Sequence, residues 1–194
     1  VAGVAHEVRN PLFGMSAMLD AYSQELNHLE LTEFSAGLRV EIERLKHLMT
    51  DLLEFGKPIE VVPTPQSLRD LIDEVVDGRR RSANEAAVRL LNQVDEQLPP
   101  IAMDRPRLRQ VFENLVDNAI QHSPRGESVT ISASELVLSG QQLIECRIED
   151  HGAGFLPFDL PHVFEPFYTR RENGTGLGLS IVERIIEEHD GHVS

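Results

Sequence analysis

Apolar residues open the chain at alternating steps of four and three: Val1, Ala5, Val8, Leu12, Met15, Leu19, Tyr22 and Leu26. That heptad seam predicts a first helix over residues 1–26, kinked at Pro11, because a proline inside a helix costs about 3 kcal/mol. A polar turn at Asn27 and His28 follows. The next apolar series, Leu38, Ile42, Leu45, Leu48, Met49, Leu52 and Phe55, predicts a second helix over 32–55, ended by Gly56 and Pro58. Two helices joined by a short connection make an antiparallel hairpin. Its apolar stripe is more than one hairpin buries, so a homodimer forming a four-helix bundle is expected.

The pattern changes over 58–66, where Pro58, Pro63 and Pro65 flank the extended run Ile59-Glu60-Val61-Val62. This reads as a linker passing into an edge strand, and it divides a hairpin at 1–57 from a second domain at 67–194. In that domain Ser67 caps a helix bearing Leu68, Leu71, Ile72, Val75 and Val76, with Arg79, Arg80 and Arg81 expected at its C-terminal end to complement the dipole. Short strands follow at Val88–Val94 and Ile101–Met103. Asp104 then caps a helix with Pro106 in its first turn and Leu108, Val111, Phe112, Leu115, Val116, Ala119 and Ile120 on its buried side. Strands at Val129–Leu138 and Leu143–Glu149, an irregular segment over 150–173 and a last helix over Leu177–His189 complete the pattern. The fold class is therefore α followed by α+β: a mixed or antiparallel sheet covered by helices.

Composition narrows the function classes. A net charge of −14 argues against a nucleic-acid surface or direct contact with an anionic membrane. Cys146 is the single cysteine, which excludes an internal disulfide and fits a reducing, cytoplasmic setting. The sequence contains no run of about 20 apolar residues that could span a bilayer. The chain opens inside a helical pattern and stops at Ser194 where an apolar segment begins, so a fragment of a longer protein is expected.

Three stretches carry candidate chemistry. Asn114 and Asn118 are one helical turn apart and project from one face, with Gln121 or His122 extending it. A polar face turned to water accounts for this; so does an oxygen site for Mg²⁺, which takes one or two protein oxygens, waters and phosphates. In Glu149-Asp150-His151-Gly152-Ala153-Gly154-Phe155, an acid closes a strand before two glycines. Such a carboxylate can accept from an exocyclic amine while the bare glycines admit a ring, although a β-turn has the same composition. Gly174-Thr175-Gly176-Leu177-Gly178-Leu179-Ser180 opens a helix, where free N–H groups and the dipole suit phosphates. Between the last two stretches lie Phe164-Glu165-Pro166-Phe167-Tyr168 and the basic pair Arg170 and Arg171, either a nucleotide lid or a plain apolar patch.

Taken in order with His6-Glu7-Val8-Arg9-Asn10-Pro11-Leu12, these stretches resemble the H, N, G1, F and G2 boxes of sensor histidine kinases from two-component systems, over nearly the whole chain. The resemblance implies a dimerisation and phosphotransfer hairpin followed by a Bergerat-fold α/β sandwich that binds ATP. It implies that His6 attacks the γ-phosphate, that Glu7 accepts the proton or fixes the tautomer, and that an aspartate on a response-regulator receiver domain takes the phosphoryl group. By the same analogy Asn118 and Asn114 hold Mg²⁺ and Asp150 reads adenine beside Gly152 and Gly154. Gly174, Thr175, Gly176, Gly178 and Leu179 meet the phosphates, with Arg171 in a basic lid position. Asn10, one turn from His6, would orient water for dephosphorylation of the partner. The chain departs from the family at Gln121, where relatives carry Lys or Arg, and at His151, where they carry asparagine. The full-length protein would be a sensor, membrane-anchored or not. Two rival functions remain. An ATPase of the gyrase, MutL or Hsp90 type would need a glutamate base where Asn114 stands, and Glu113 points about 100° away around the helix. A scaffold binding nucleotide without phosphotransfer is the other.

Overall fold

The computed structural model describes residues 14–15, 38–40, 42, 45–46, 48–53, 55–56, 60–138, 140–170 and 174–194. They fall into two compact units: residues 1–58 with 165–177, and residues 59–164 with 178–194.

The second unit begins with strand β1 (Thr64–Gln66), helix α1 (Leu68–Ala86) and strands β2 (Arg89–Asn92) and β3 (Ile101–Met103). Helix α2 (Arg105–His122), strands β4 (Ser128–Leu138) and β5 (Gln141–Glu149), a 3-10 turn at Leu160–His162 and helix α3 (Gly178–Glu187) follow. β2 pairs parallel with β4, and β4 antiparallel with β5, giving a mixed three-stranded sheet; β1 and β3 form a separate antiparallel pair. A mixed sheet is one of the two forms expected from the sequence.

Both helix starts form as their capping residues dictate. Ser67 Oγ accepts from the Asp70 N–H at 3.2 Å, and Asp104 Oδ1 accepts from the Arg107 N–H at 3.1 Å. The buried faces are Leu68, Leu71, Ile72 and Val75 of α1, Val111, Phe112, Val116, Ala119 and Ile120 of α2, and Ile181, Val182 and Ile185 of α3. Val88, Ala119 and Val129 form one buried cluster, with Leu90 and Ile148 packed on it, so α2 lies against the three-stranded sheet. Leu115, expected in the core, is only half-buried.

The edge strand forms at Thr64–Gln66, at the end of the expected 58–66 stretch; Val61 and Val62 precede it, and the Val62 N–H donates to Asp104 Oδ2 at 3.1 Å. One expectation is corrected: the basic cluster is not terminal. α1 continues beyond Arg81 to Ala86, and the chain turns at Ala87, whose φ of 55° lets the Val88 N–H reach Ala83 O at 2.8 Å.

In the first unit the described residues over 38–55 are helical, and the Gly56 N–H closes the last turn on Leu52 O at 3.0 Å. Ile42 and Met49, one heptad apart, are buried, whereas Leu38 and Leu45, also one heptad apart, are exposed. The predicted apolar side is thus split into an inward and an outward stripe. Apart from Gly14 and Met15, the first predicted helix lies outside the described residues, as do His6, Glu7 and Asn10. Among the described residues no helix is long and apolar enough to cross a membrane.

Candidate functional site

Helix α2 carries the two candidate amides. Its buried stripe sets the rotation of the helix, which leaves Asn114 and Asn118 half-buried on an adjoining face. The Asn114 amide nitrogen donates to Gly178 O at the start of α3 at 3.3 Å, leaving its amide oxygen as the group to offer a cation. A Cβ added at Gly178 would lie 4.0 Å from Asn114 Cγ, so the glycine-rich start of α3 packs beside that amide.

The acids that precede the amides face elsewhere. Arg79 Nε of α1 donates to Asp117 Oδ1 at 2.7 Å, and its Nη1 lies 3.4 Å from Glu113 Oε1. Arg109 Nε adds a second contact to Glu113 at 3.2 Å, while Arg105 reaches Glu74 at 2.8 Å. Glu113 is thus engaged by Arg79 of α1 and by Arg109 one turn earlier on its own helix. That disfavours Glu113 as a water-activating base. Arg79 was not among the sequence-derived candidates, since ion pairs between separate helices leave no periodic signal.

The Asp150 loop meets the end of the same helix. Asp150 Oδ1 accepts from the Gly152 N–H at 2.7 Å, a turn that an acid followed by glycine readily forms. A Cβ on Gly152 would stand 2.8 Å from Asp150 Oδ1 and 2.8 Å from the main-chain oxygen of His122, the last residue of α2. Only glycine lets this loop close against the helix that carries the amides. Gly154 adopts a φ of +69° with open space around a Cβ, so its requirement is backbone conformation. The His151 ring donates from Nδ1 to Ser128 O at 3.0 Å, which ties the loop to β4. Asp150, Gly152, Gly154, Asn114, Asn118, Gly178 and Leu179 are thus all in the second unit, at the end of β5, on α2 and in the first turn of α3.

Gly174, Thr175 and Gly176 belong to the first unit with Phe167. The Phe167 N–H donates to Gly176 O at 2.9 Å, and a Cβ on Gly176 would lie 2.4 Å from the Phe167 carbonyl carbon. These two residues pin the base of a loop. Thr175 Oγ1 donates to Asp51 Oδ2 at 2.6 Å and lies 3.4 Å from the Leu177 N–H. Asp51 is a second residue that sequence reasoning missed. Arg171 lies outside the described residues.

Residues 1–60 match the His Kinase A (phospho-acceptor) domain, and residues 103–194 match the histidine kinase-, DNA gyrase B- and HSP90-like ATPase family. The sensor histidine kinase ZraS of Salmonella typhi is 33% identical over 99% of this chain and 41% of its own length. The crystal structure of full-length ShkA in complex with AMPPNP superposes with a TM-score of 0.76 at 29% identity, covering 96% of this chain and 40% of that one. That of the histidine kinase ThkA in complex with the response regulator TrrA gives 0.69 at 26% identity, over 98% and 54%. An ATPase domain of the histidine kinase, gyrase B and HSP90 class is therefore joined here to a phospho-acceptor domain. That pairing, with the relatives, places the chain in the sensor histidine kinase family. It spans about two fifths of the length of ZraS.

Proposed function

We propose that the chain is the catalytic core of an ATP-dependent protein-histidine kinase that phosphorylates its own His6 and passes the phosphoryl group to an aspartate of a response-regulator receiver domain. The observation that carries this reading is the convergence of the Asp150–Gly152 loop on the end of α2, the helix bearing Asn114 and Asn118, in a chain that also holds a phospho-acceptor domain. The relatives add support, since one was crystallised with AMPPNP and another with a response regulator.

The residues fit ATP and Mg²⁺. Asp150 has one carboxylate oxygen committed to Gly152, and the other can accept from an exocyclic amine such as that of adenine. Asn118 and Asn114 would hold the metal through amide oxygens, and a bound Mg²⁺ supplies neutralisation of phosphate charge. Gly152, Gly154, Gly174, Thr175, Gly176, Gly178 and Leu179 would surround the nucleotide with backbone N–H groups and one hydroxyl, and Arg171 would add a cation. His6 attacks the terminal phosphorus as its neutral imidazole, the bond to the bridging oxygen breaks with ADP as leaving group, and Glu7 takes the ring proton. Reacting atoms must approach to about 3–3.5 Å. Asn10 would serve the reverse function, orienting water at the partner's phosphoaspartate.

Residues 1–57 would be the dimerisation and phosphotransfer hairpin, 58–66 the hinge and 67–194 the catalytic domain. The exposed Leu38 and Leu45 stripe supports a homodimer, since two such stripes cover each other in a four-helix bundle. A cytoplasmic setting suits a kinase that consumes ATP. Incubation with γ-labelled ATP, Mg²⁺ and then a receiver domain tests the reading. Acid-labile, base-stable label that moves to the receiver supports it; rapid phosphate release without labelled protein would establish the ATPase alternative, and neither outcome the scaffold.

A further inference from the structure

The loop bearing Thr175 already holds an anion, and the anion belongs to the chain itself. Asp51 lies on the helix of the first unit, and its Oδ2 accepts a 2.6 Å hydrogen bond from Thr175 Oγ1. The same hydroxyl oxygen lies 3.4 Å from the Leu177 N–H, immediately before α3. A relay therefore runs from the Leu177 amide through the Thr175 hydroxyl to the Asp51 carboxylate. It engages an amide and a hydroxyl of the kind that bind phosphate oxygens. The base of the loop is fixed independently: the Phe167 N–H bonds to Gly176 O, and the Gly176 position excludes any Cβ.

We propose that Asp51 acts as an internal stand-in for a phosphate group, holding Thr175 against the helix over 38–55 and opposing nucleotide phosphate at the glycine loop. The inference rests on the reading of Gly174–Leu179 as a phosphate loop and adds the regulation of that loop. A carboxylate and a phosphate oxygen cannot both accept the single hydroxyl proton of Thr175, and their like charges repel when brought to the same donor. Displacement of Asp51, by rotation or sliding of its helix, frees the hydroxyl. A movement of the hairpin is thereby converted into a change in nucleotide affinity, in the manner of two ligands competing for one site. The role of Asp51 in this proposal is regulatory, exerted through Thr175.

The test uses the whole chain and two readouts: amide hydrogen exchange at Leu177 without nucleotide, and calorimetric binding of AMPPNP with Mg²⁺. Asp51→Ala removes both acceptor and charge; Asp51→Asn keeps an acceptor oxygen without the charge. Exchange at Leu177 is expected to accelerate severalfold in Asp51→Ala and to stay near wild type in Asp51→Asn. AMPPNP is expected to bind about fivefold tighter to Asp51→Ala, the low end of ordinary coupling between sites, and to gain less in Asp51→Asn, whose amide oxygen still accepts the Thr175 proton while the repelling charge is gone. Unchanged exchange in Asp51→Ala would overturn the latch whatever the nucleotide does. Faster exchange with unchanged or weaker AMPPNP binding would overturn the opposition to phosphate. If AMPPNP fails to bind wild type and variants alike, the phosphate-loop reading falls and the proposed opposition with it, while exchange alone still decides whether the latch exists.

Discussion

Gly152 is packed so closely on His122 that a Cβ added to it would stand 2.8 Å from the His122 main-chain oxygen. This contact joins the Asp150 loop to the helix carrying Asn114 and Asn118, and within the loop the Gly152 N–H donates to Asp150 Oδ1 at 2.7 Å. Gly152→Ala is expected to push the loop off α2. Overpacking of this kind costs about 1–3 kcal/mol. Since about 1.4 kcal/mol is a tenfold change in binding, AMPPNP affinity should fall about tenfold or more by calorimetry. Binding equal to wild type would show that the contact does not shape the site.

Arg79 should matter more than a surface arginine does. It holds Asp117 and Glu113 together, and those acids lie one turn apart on α2 with side chains 38% and 26% exposed. Arg79→Ala removes this guanidinium from Asp117 and leaves Glu113 to Arg109, with the two like charges one turn apart. Their partial exposure reduces the cost well below that of a fully buried pair, so a loss of about 1 kcal/mol in urea denaturation is expected. Arg79→Lys should recover only part of it, because an ammonium lacks the fork that serves two carboxylates. Denaturation midpoints of both variants matching wild type would contradict this.

Ala87 and Asp190 each adopt the left-handed conformation after a helix, with φ of 55° and 56°. At Ala87 the Val88 N–H reaches back to Ala83 O, and at Asp190 the Gly191 N–H reaches Ile186 O, the pattern in which glycine is favoured. Ala87→Gly is expected to stabilise the fold by about 0.5–1 kcal/mol, net of the extra freedom glycine brings to the unfolded chain. Thermal or urea unfolding reads this directly, and a destabilised variant would contradict it.

Cys146 lies on β5 as an exposed residue, yet burial of its thiol, with the Glu145 charge beside it, raises its pKa from 9.0 to about 11. The folded protein therefore keeps the proton that the unfolded chain loses. The sign follows: stability from this group is fully present below pH 9 and is lost as pH rises through about 11. Alkylation by iodoacetamide near pH 8.5 should be markedly slower in the native protein than in urea, because the thiolate is the reactive species. Equal rates would contradict the shift.

Much of the second unit was legible along the chain because its signals are local. Ser67 and Asp104 announce α1 and α2, β3 has the expected bounds, and the apolar stripe of α2 appears in its spacing. What was not legible depends on partners distant in sequence. No periodicity reveals that Asp104 takes the Val62 N–H, that Arg79 leaves α1 to grip α2, or that Asp51 meets Thr175. The order of the boxes pointed to Asp150, Gly152 and Asn114 individually. That Gly152 is required by an oxygen of His122 is a property of the folded loop.

The central claim is that His6 is phosphorylated by the domain that follows it, and peptide mapping under alkaline conditions after incubation with γ-labelled ATP and Mg²⁺ tests it most directly. The phosphoryl group should map to the peptide containing His6, be absent from His6→Gln, and fall by at least about a hundredfold in Asn118→Ala, as expected when a charge-stabilising contact at a transferring phosphoryl group is lost. Label on any other residue, or label that persists in His6→Gln, would contradict the account.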